Sequence, residues 1–362
     1  MPKLTTQHRV DSLRKRLAQL KIDAILVSSL PNIRYLFGFT GTNGLALVTQ
    51  DHSLFITDRR YQHQSSFEVE NANISIAETD LISALPVNRI SHLKNLGIES
   101  AHLSTRDFFN LKKMNFGAKL MGTERLIERL MRIKDENEIK HIKDAARICV
   151  SVFDKVLHNI KPGMPEFALS AEISYQAKLS GSENDPFEPL VVSGRRAALV
   201  HGRSSNKKIA PGEFVIIDFG ATRQGYAADF TRTIIMGSPT QKQIHLHQLT
   251  LQALEAAENA AKPGITGKQL DAVARNIFIA HHHGEYFCHS LGHGLGLNVH
   301  ELPRIGERSD DPLEPGNVIA LEPGIYNPEF GGIRIEDDFL VHSDGLENLT
   351  SYPRGLFSVA CD

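Results

Sequence analysis

Two stretches of this chain, about a hundred residues apart, pass through the same landmarks in the same order, and a duplication of this kind restricts the fold more than any single motif does. An amphipathic helical pattern with Ile139, Ile142, Ala146, Cys149, Phe153, Val156 and Ile160 on one face runs into Lys161-Pro162-Gly163. A second pattern, with Leu246, Leu249, Ala253, Ala257 and Ala260, runs into Lys262-Pro263-Gly264. In both, the apolar residues recur at helical spacing. Each Lys-Pro-Gly is followed by another helical stretch ending near Gly181 or Gly284, then by His201 or His300, then by Pro211-Gly212 or Pro315-Gly316, then by a strand-like run bearing Asp218 or Glu322. Halves that each offer one histidine and one strand carboxylate are expected to pack about a pseudo-two-fold axis, with their charged groups meeting at the shared cleft.

Five side chains fit such a cleft: Asp218, Asp229, His293, Glu322 and Glu336. Each acid lies at the end of, or just after, an apolar β-type run, where a strand delivers a side chain in a fixed direction. Four carboxylates and one imidazole carry the right charge to hold a pair of hard or borderline divalent ions without any cysteine. Asp218 and Asp229 are eleven residues apart and joined through Thr222-Arg223-Gln224-Gly225-Tyr226, which suits adjacent antiparallel strands with a tight turn at Gly225. Between Glu322 and Glu336 lie Gly324, Pro328, Gly331 and Gly332, which allow a return strand. His293 sits between two glycines, so the backbone there can approach an ion closely.

Length and composition set the frame. A chain of 362 residues with 41% hydrophobic content can bury a large core and suggests two domains. A formal net charge of −2 gives no basic footprint for nucleic acid. Three cysteines without a CxxC pair argue for a reducing compartment. No run approaches the ~18 apolar residues of a membrane span, and the N-terminal stretch has no apolar core of signal-peptide length, so a cytoplasmic protein without membrane contact is expected. In the first part, a helical pattern with Val10, Leu13, Leu17 and Leu20 leads to apolar runs at 24–27, 45–48, 54–56 and 74–76, which reads as an α/β layer. A charged segment at about 122–135 places the boundary, giving domains 1–125 and 126–362.

Together these strings resemble the pita-bread metallopeptidases, a family that includes Xaa-Pro dipeptidase (prolidase), aminopeptidase P and methionine aminopeptidase. SGRRAALVHG (193–202), IDFGATRQGYAADFTRT (217–233), HSLGHGLGLNVHE (289–301), LEPGIY (321–326) and GGIRIEDDFLV (331–341) carry the likeness in the second domain. NIRYLFGFTGT (32–42), FITDRRY (55–61) and RIKDENEIKHIKDAA (132–146) are similar to the N-terminal domain of the prolidase and aminopeptidase P branch and to its approach to the catalytic domain. The resemblance implies an α+β protein, with an N-terminal creatinase-like α/β domain followed by a pita-bread domain with an internal pseudo-two-fold repeat.

It also implies chemistry. Asp218 would bind one ion, His293 and Glu322 the other, with Asp229 and Glu336 shared between two divalent metals; manganese or cobalt is expected, and zinc is compatible. A hydroxide bridging the ions would attack the peptide carbonyl, with Glu322 carrying the proton. His201 and His300 resemble the two non-ligand histidines that bind substrate oxygen and stabilise the tetrahedral intermediate. Arg334 resembles a cation that orients the acids or meets developing charge on the substrate, and it is grouped with His201, His300 and Arg304 as substrate-binding. The implied substrate is a short proline-containing peptide, and the implied assembly is a homodimer. Xaa-Pro dipeptidase is the leading reading, because Arg304 resembles an arginine set near the substrate carboxylate. Aminopeptidase P, acting on longer peptides, is the alternative. A non-peptidase relative, such as an amidinohydrolase or an interaction module, is the third reading, disfavoured by the complete ligand set. Among the neighbours, His289 reads either as support for the site or as packing, Asp337 and Asp338 as salt-bridged or solvated, and His281–His283 as a helix end.

Overall fold

A computed structural model describes residues 5–114 and 117–361. The chain divides into two compact units, Pro2–Met131 and Arg132–Asp362.

In the first unit, the helix Thr6–Leu20 starts where the Thr5 side chain accepts the His8 N–H, and it stops at Lys21, whose φ of 57° turns the chain out of helical geometry. Val10, Leu13 and Leu17 are buried, but Leu20 is 44% exposed, so the expected apolar face ends one turn earlier than its spacing suggested. Six strands follow: β1 (Ala24–Val27), β2 (Leu45–Thr49), β3 (Ser53–Asp58), β4 (Asn73–Ala77), β5 (Asn95–Glu99) and β6 (Lys119–Thr123). They form one mixed sheet in the order β4-β3-β2-β1-β5-β6, with antiparallel pairing only around β2. Its central strands are buried on both faces, as a covered α/β sheet requires.

In the second unit, Asp135 opens the helix Glu136–Leu157 with a capping box closed by Glu138. The helix buries Ile142, Ala146, Cys149, Phe153 and Val156. Thr240 and Gln243 make the same box for the helix Gln241–Ala260, which buries Leu246, Leu249, Ala253 and Ala257. The duplication extends to the backbone. Gly163 N–H donates to Ile209 O, and Gly264 N–H to Leu313 O, both at 2.8 Å. Gly212 N–H donates to Met236 O, and Gly316 N–H to Val341 O. The isolated pairs Pro165–Lys208 and Thr266–Pro312 repeat as well.

Each half supplies a sheet. In the first, β7 (Leu190–Ser193), β8 (Phe214–Arg223) and β9 (Tyr226–Met236) pair antiparallel. In the second, β10 (Gly292–Gly294) pairs with β11 (Glu301–Ile305) and with β12 (Val318–Leu321). Then come the hairpin β13 (Gly324–Asn327) and β14 (Gly331–Arg334), and β15 (Asp337–Val341), which lies beside β12. β16 (Leu346–Asn348) edges the second sheet, and β17 (Phe357–Val359) runs parallel to β9 in the first. A bridge between Thr231 and Glu336 joins the halves at the strand ends that carry the acids. Among the described residues, no helix is long and apolar enough to cross a membrane.

Candidate active site

The β8–β9 hairpin turns at Gln224-Gly225, with φ of 50° and 76°, the pair of positive values that a two-residue hairpin turn uses. Its register sets Asp218 opposite Thr231 and Gly220 opposite Asp229. Since side chains alternate along a strand, Asp218, Asp229 and Thr231 share one face. On the other half, Leu321 pairs with Asp337, so Glu322 leaves β12 where Glu336 approaches β15, and the β13–β14 hairpin fills the interval.

His293 lies in the centre of β10. A Cβ on Gly292 would come within 2.0 Å of Ala320 O, and one on Gly294 within 2.2 Å of Leu302 O. The two glycines are therefore required by the neighbouring strand backbones, a cause that the sequence did not suggest. The His293 Nδ1–H donates to Gly294 O at 3.0 Å, which leaves Nε2 facing the acids. From there it is 3.9 Å to Asp229 Oδ2 and 3.6 Å to Glu322 Oε1. Asp229, His293 and Glu336 each present a donor atom within 4.8 Å of the others'.

This crowding is electrostatically costly. Burial first, and then Glu336, push the Asp229 and Glu322 carboxyls well above the usual carboxylate range. Glu336, 2% exposed, rises to about 8 through burial and then Asp218. His293 is held down to about 4, by burial first and His300 second. Asp218 Oδ1, Asp229 Oδ1 and Glu336 Oε1 are buried without a hydrogen-bond partner. Their opposite oxygens are fixed or set beside cations: Thr231 Oγ1 donates to Glu336 Oε2 at 2.6 Å, and Arg334 pairs with Asp218 Oδ2. Oxygens so arranged, with an imidazole among them, form a donor set that fits divalent cations.

Arg334 is 2% exposed. Besides Asp218 it donates to the Tyr326 hydroxyl at 2.8 Å, and its Nε lies 4.0 Å from Glu322 Oε2. Tyr326 in turn bonds His289 Nε2 at 3.0 Å, while His289 Nδ1 faces Ser290 O. His289 is thus part of a chain that ends on Asp218, and its ring also packs edge-on against Phe287 and Tyr326. Asp337 is salt-bridged as expected, to Arg232 and Arg354. Asp338 is neither salt-bridged nor solvated: it is fully buried, and its Oδ2 accepts the Asp229 N–H at 2.9 Å. Thr231 was not singled out from sequence, although it stands two residues past Asp229 and strand alternation alone puts it on the same face.

His201 and His300 are both exposed over part of their surface. The His300 ring packs edge-on against His293 at 4.3 Å, and its basicity is lowered by burial first and then by His201. Arg304 is exposed on β11 and pairs in register with His293, so both side chains project from one face of the sheet.

Residues 140–343 match the model of metallopeptidase family M24, and residues 9–133 match the creatinase/prolidase N-terminal domain. The chain belongs to metallopeptidase family M24. As an M24 member of the prolidase branch it is a peptidase. It is similar to a Xaa-Pro dipeptidase of Pyrococcus horikoshii, 38% identical over 92% of this chain and 94% of that one. Among solved structures, a Xaa-Pro dipeptidase from Bacillus anthracis superposes with a TM-score of 0.94 at 37% identity, covering 98% of this chain and all (100%) of that one. An X-Pro aminopeptidase from Thermotoga maritima superposes with a TM-score of 0.89 at 36% identity, over 97% and 99% of the two chains.

Proposed function

We propose that this M24 peptidase is a two-metal Xaa-Pro dipeptidase, hydrolysing the bond before proline in short peptides. The observation that carries the proposal is the cluster of Asp229, His293 and Glu336, drawn from both halves, together with buried oxygens of Asp218, Asp229 and Glu336 that have no hydrogen-bond partner. Asp218, Asp229, His293, Glu322 and Glu336 would hold the ions. Oxygen-rich donors with one imidazole suit manganese or cobalt and are compatible with zinc. Divalent cations bound there supply Lewis acidity, polarising the scissile carbonyl and acidifying water near neutral pH.

The chain's own residues supply the rest. Glu322 is the most accessible of the acids that contact His293, its side chain 19% exposed against 7% for Asp229. Glu322 is therefore suited to take a proton from the attacking water and deliver it to the proline nitrogen. His300, its basicity lowered, presents one ring N–H to the oxygen that becomes negative, and His201 acts from the opposite repeat. Arg334 holds Asp218, and Thr231 holds Glu336, so neither acid turns away when substrate enters. Arg304, on the His293 face of its sheet, is placed to read the free carboxylate of a dipeptide. Cytoplasmic location and a homodimeric assembly belong to the same proposal.

Aminopeptidase P activity is the second reading, supported by the likeness to the Thermotoga maritima enzyme. Turnover of a Xaa-Pro dipeptide and of a Xaa-Pro-Yaa tripeptide, measured with added manganese, separates the two. Cleavage of the dipeptide alone is expected; cleavage of the tripeptide alone would overturn the dipeptidase reading.

A further inference from the structure

The two repeats hold their histidine-bearing segments by different means. In the second half, His300 leads directly into β11, which is laddered to β10. The corresponding residues of the first half, 202–206, form no strand. In place of the ladder, the Val191 N–H donates to Ser204 Oγ at 2.9 Å, and a single carboxylate, Glu166, gathers both ends of the segment.

Glu166 begins the helix Glu166–Leu179 and is completely buried. Its Oε1 accepts the N–H and hydroxyl of Ser193 at 2.8 and 2.9 Å. Its Oε2 accepts the N–H and hydroxyl of Ser205 at 3.1 and 2.7 Å, and Arg196 Nε at 3.0 Å. Arg196 continues across the strap to the carbonyl of Arg203 at 2.6 Å. In the other repeat the matching position is Gly267, where a Cβ would lie 2.1 Å from Arg304 O. There the backbone after His300 packs straight onto the helix start, leaving no room for a side chain. The first-half strap also rests on the site: Arg334 Nη1 donates to Val200 O at 3.3 Å, and a Cβ on Gly332 would meet Ala197 O at 2.1 Å.

We propose that Glu166 is a positioning residue, whose carboxylate, by binding Ser193, Arg196 and Ser205, fixes the strap 194–205 that presents His201 to substrate. This rests on the reading of His201 given above. It touches neither substrate nor metal, and acts only through the strap.

A double-mutant cycle on the metal-loaded enzyme tests it, using Glu166→Gln, His201→Ala and the double variant with a Xaa-Pro dipeptide as probe. Glu166→Gln is expected to keep its metal content, to lower kcat/KM about tenfold, and to cost nothing further once His201 is already alanine. Losses that multiply in the double variant overturn the proposal. If His201→Ala alone leaves turnover intact, the assignment of His201 fails, and the anchor is then judged by hydrogen exchange of the 194–205 amides. Exchange about tenfold faster in Glu166→Gln supports it, and unchanged exchange overturns it. Should Glu166→Gln fail to fold, Ser205→Ala, which removes one bond of the five, takes its place in both measurements.

Discussion

Stripping divalent cations should make the catalytic unit less stable as pH rises from 6.5 to 8, and restoring them should abolish that loss. Glu336 is 2% exposed, and its carboxyl moves from the ordinary 4.5 to about 8 on folding, through burial first and Asp218 second. The folded form therefore binds more protons than the unfolded chain between those values, and the stability this gives disappears as pH rises through that interval. Asp229 and Glu322 shift in the same direction. His293 opposes them: held down to about 4 from 6.5, it costs stability as pH falls below 6.5 and has no effect above. The interval from 6.5 to 8 therefore belongs to the carboxylates. At about 1.4 kcal/mol per pH unit, Glu336 alone contributes about 2 kcal/mol there. With a urea slope of about 2 kcal/mol/M, the midpoint of the metal-free protein should fall by about 1 M. Far-UV circular dichroism is the natural probe, since the chain has no tryptophan, and hydrogen exchange of 214–236 assigns the transition to this unit. With saturating manganese the midpoint should be flat or rise, because cations favour the ionised acids. A metal-free midpoint that holds or rises from pH 6.5 to 8 would refute the crowding of carboxylates described for this site.

Chelation should abolish peptidase activity, with manganese or cobalt restoring it; full turnover in protein shown metal-free by elemental analysis contradicts this. Asp218→Asn should weaken metal binding, whereas Glu322→Gln should lose at least as much kcat because it removes a donor and the proton carrier together. His300→Ala should retain its metal and lose about a hundredfold in kcat, as removal of one transition-state donor commonly does; loss of metal would exchange its role with that of His293. Arg304→Met should raise KM for a dipeptide roughly ten- to thirtyfold, about 1–2 kcal/mol, less than a fully desolvated pair because the residue is exposed. The same change should leave a tripeptide unaffected, and equal losses on both substrates would remove Arg304 from the specificity argument.

Much of the fold could be read from local spacing. The helices of the repeat were visible in apolar residues at every third or fourth position, and their buried faces agree. The eleven-residue interval between Asp218 and Asp229 already required one strand face once Gly225 marked the turn. What escaped the sequence depends on contacts between distant residues. The five bonds of Glu166 reach partners 27 to 39 residues away, and nothing near Glu166 announces them. Asp338 looked like another charged residue in an acidic run, yet strand pairing carries it under the Asp229 backbone, 109 positions distant. The glycines beside His293 were read as room for an ion, and local sequence does not reveal that carbonyls of β11 and β12 are the atoms approaching them.

The division of the site between the repeats also sets when during synthesis it can first exist. A chain made only as far as Met236 holds the complete β8–β9 hairpin with Asp218 and Asp229. At that stage it lacks His293, Glu322 and Glu336, and the Thr231–Glu336 bridge cannot form. Growing chains fold from the N-terminal side, so the early half carries a pair of acids with no hydrolytic partner. Chemistry that needs all five side chains is thereby withheld from the ribosome-bound chain until Glu336 has been made.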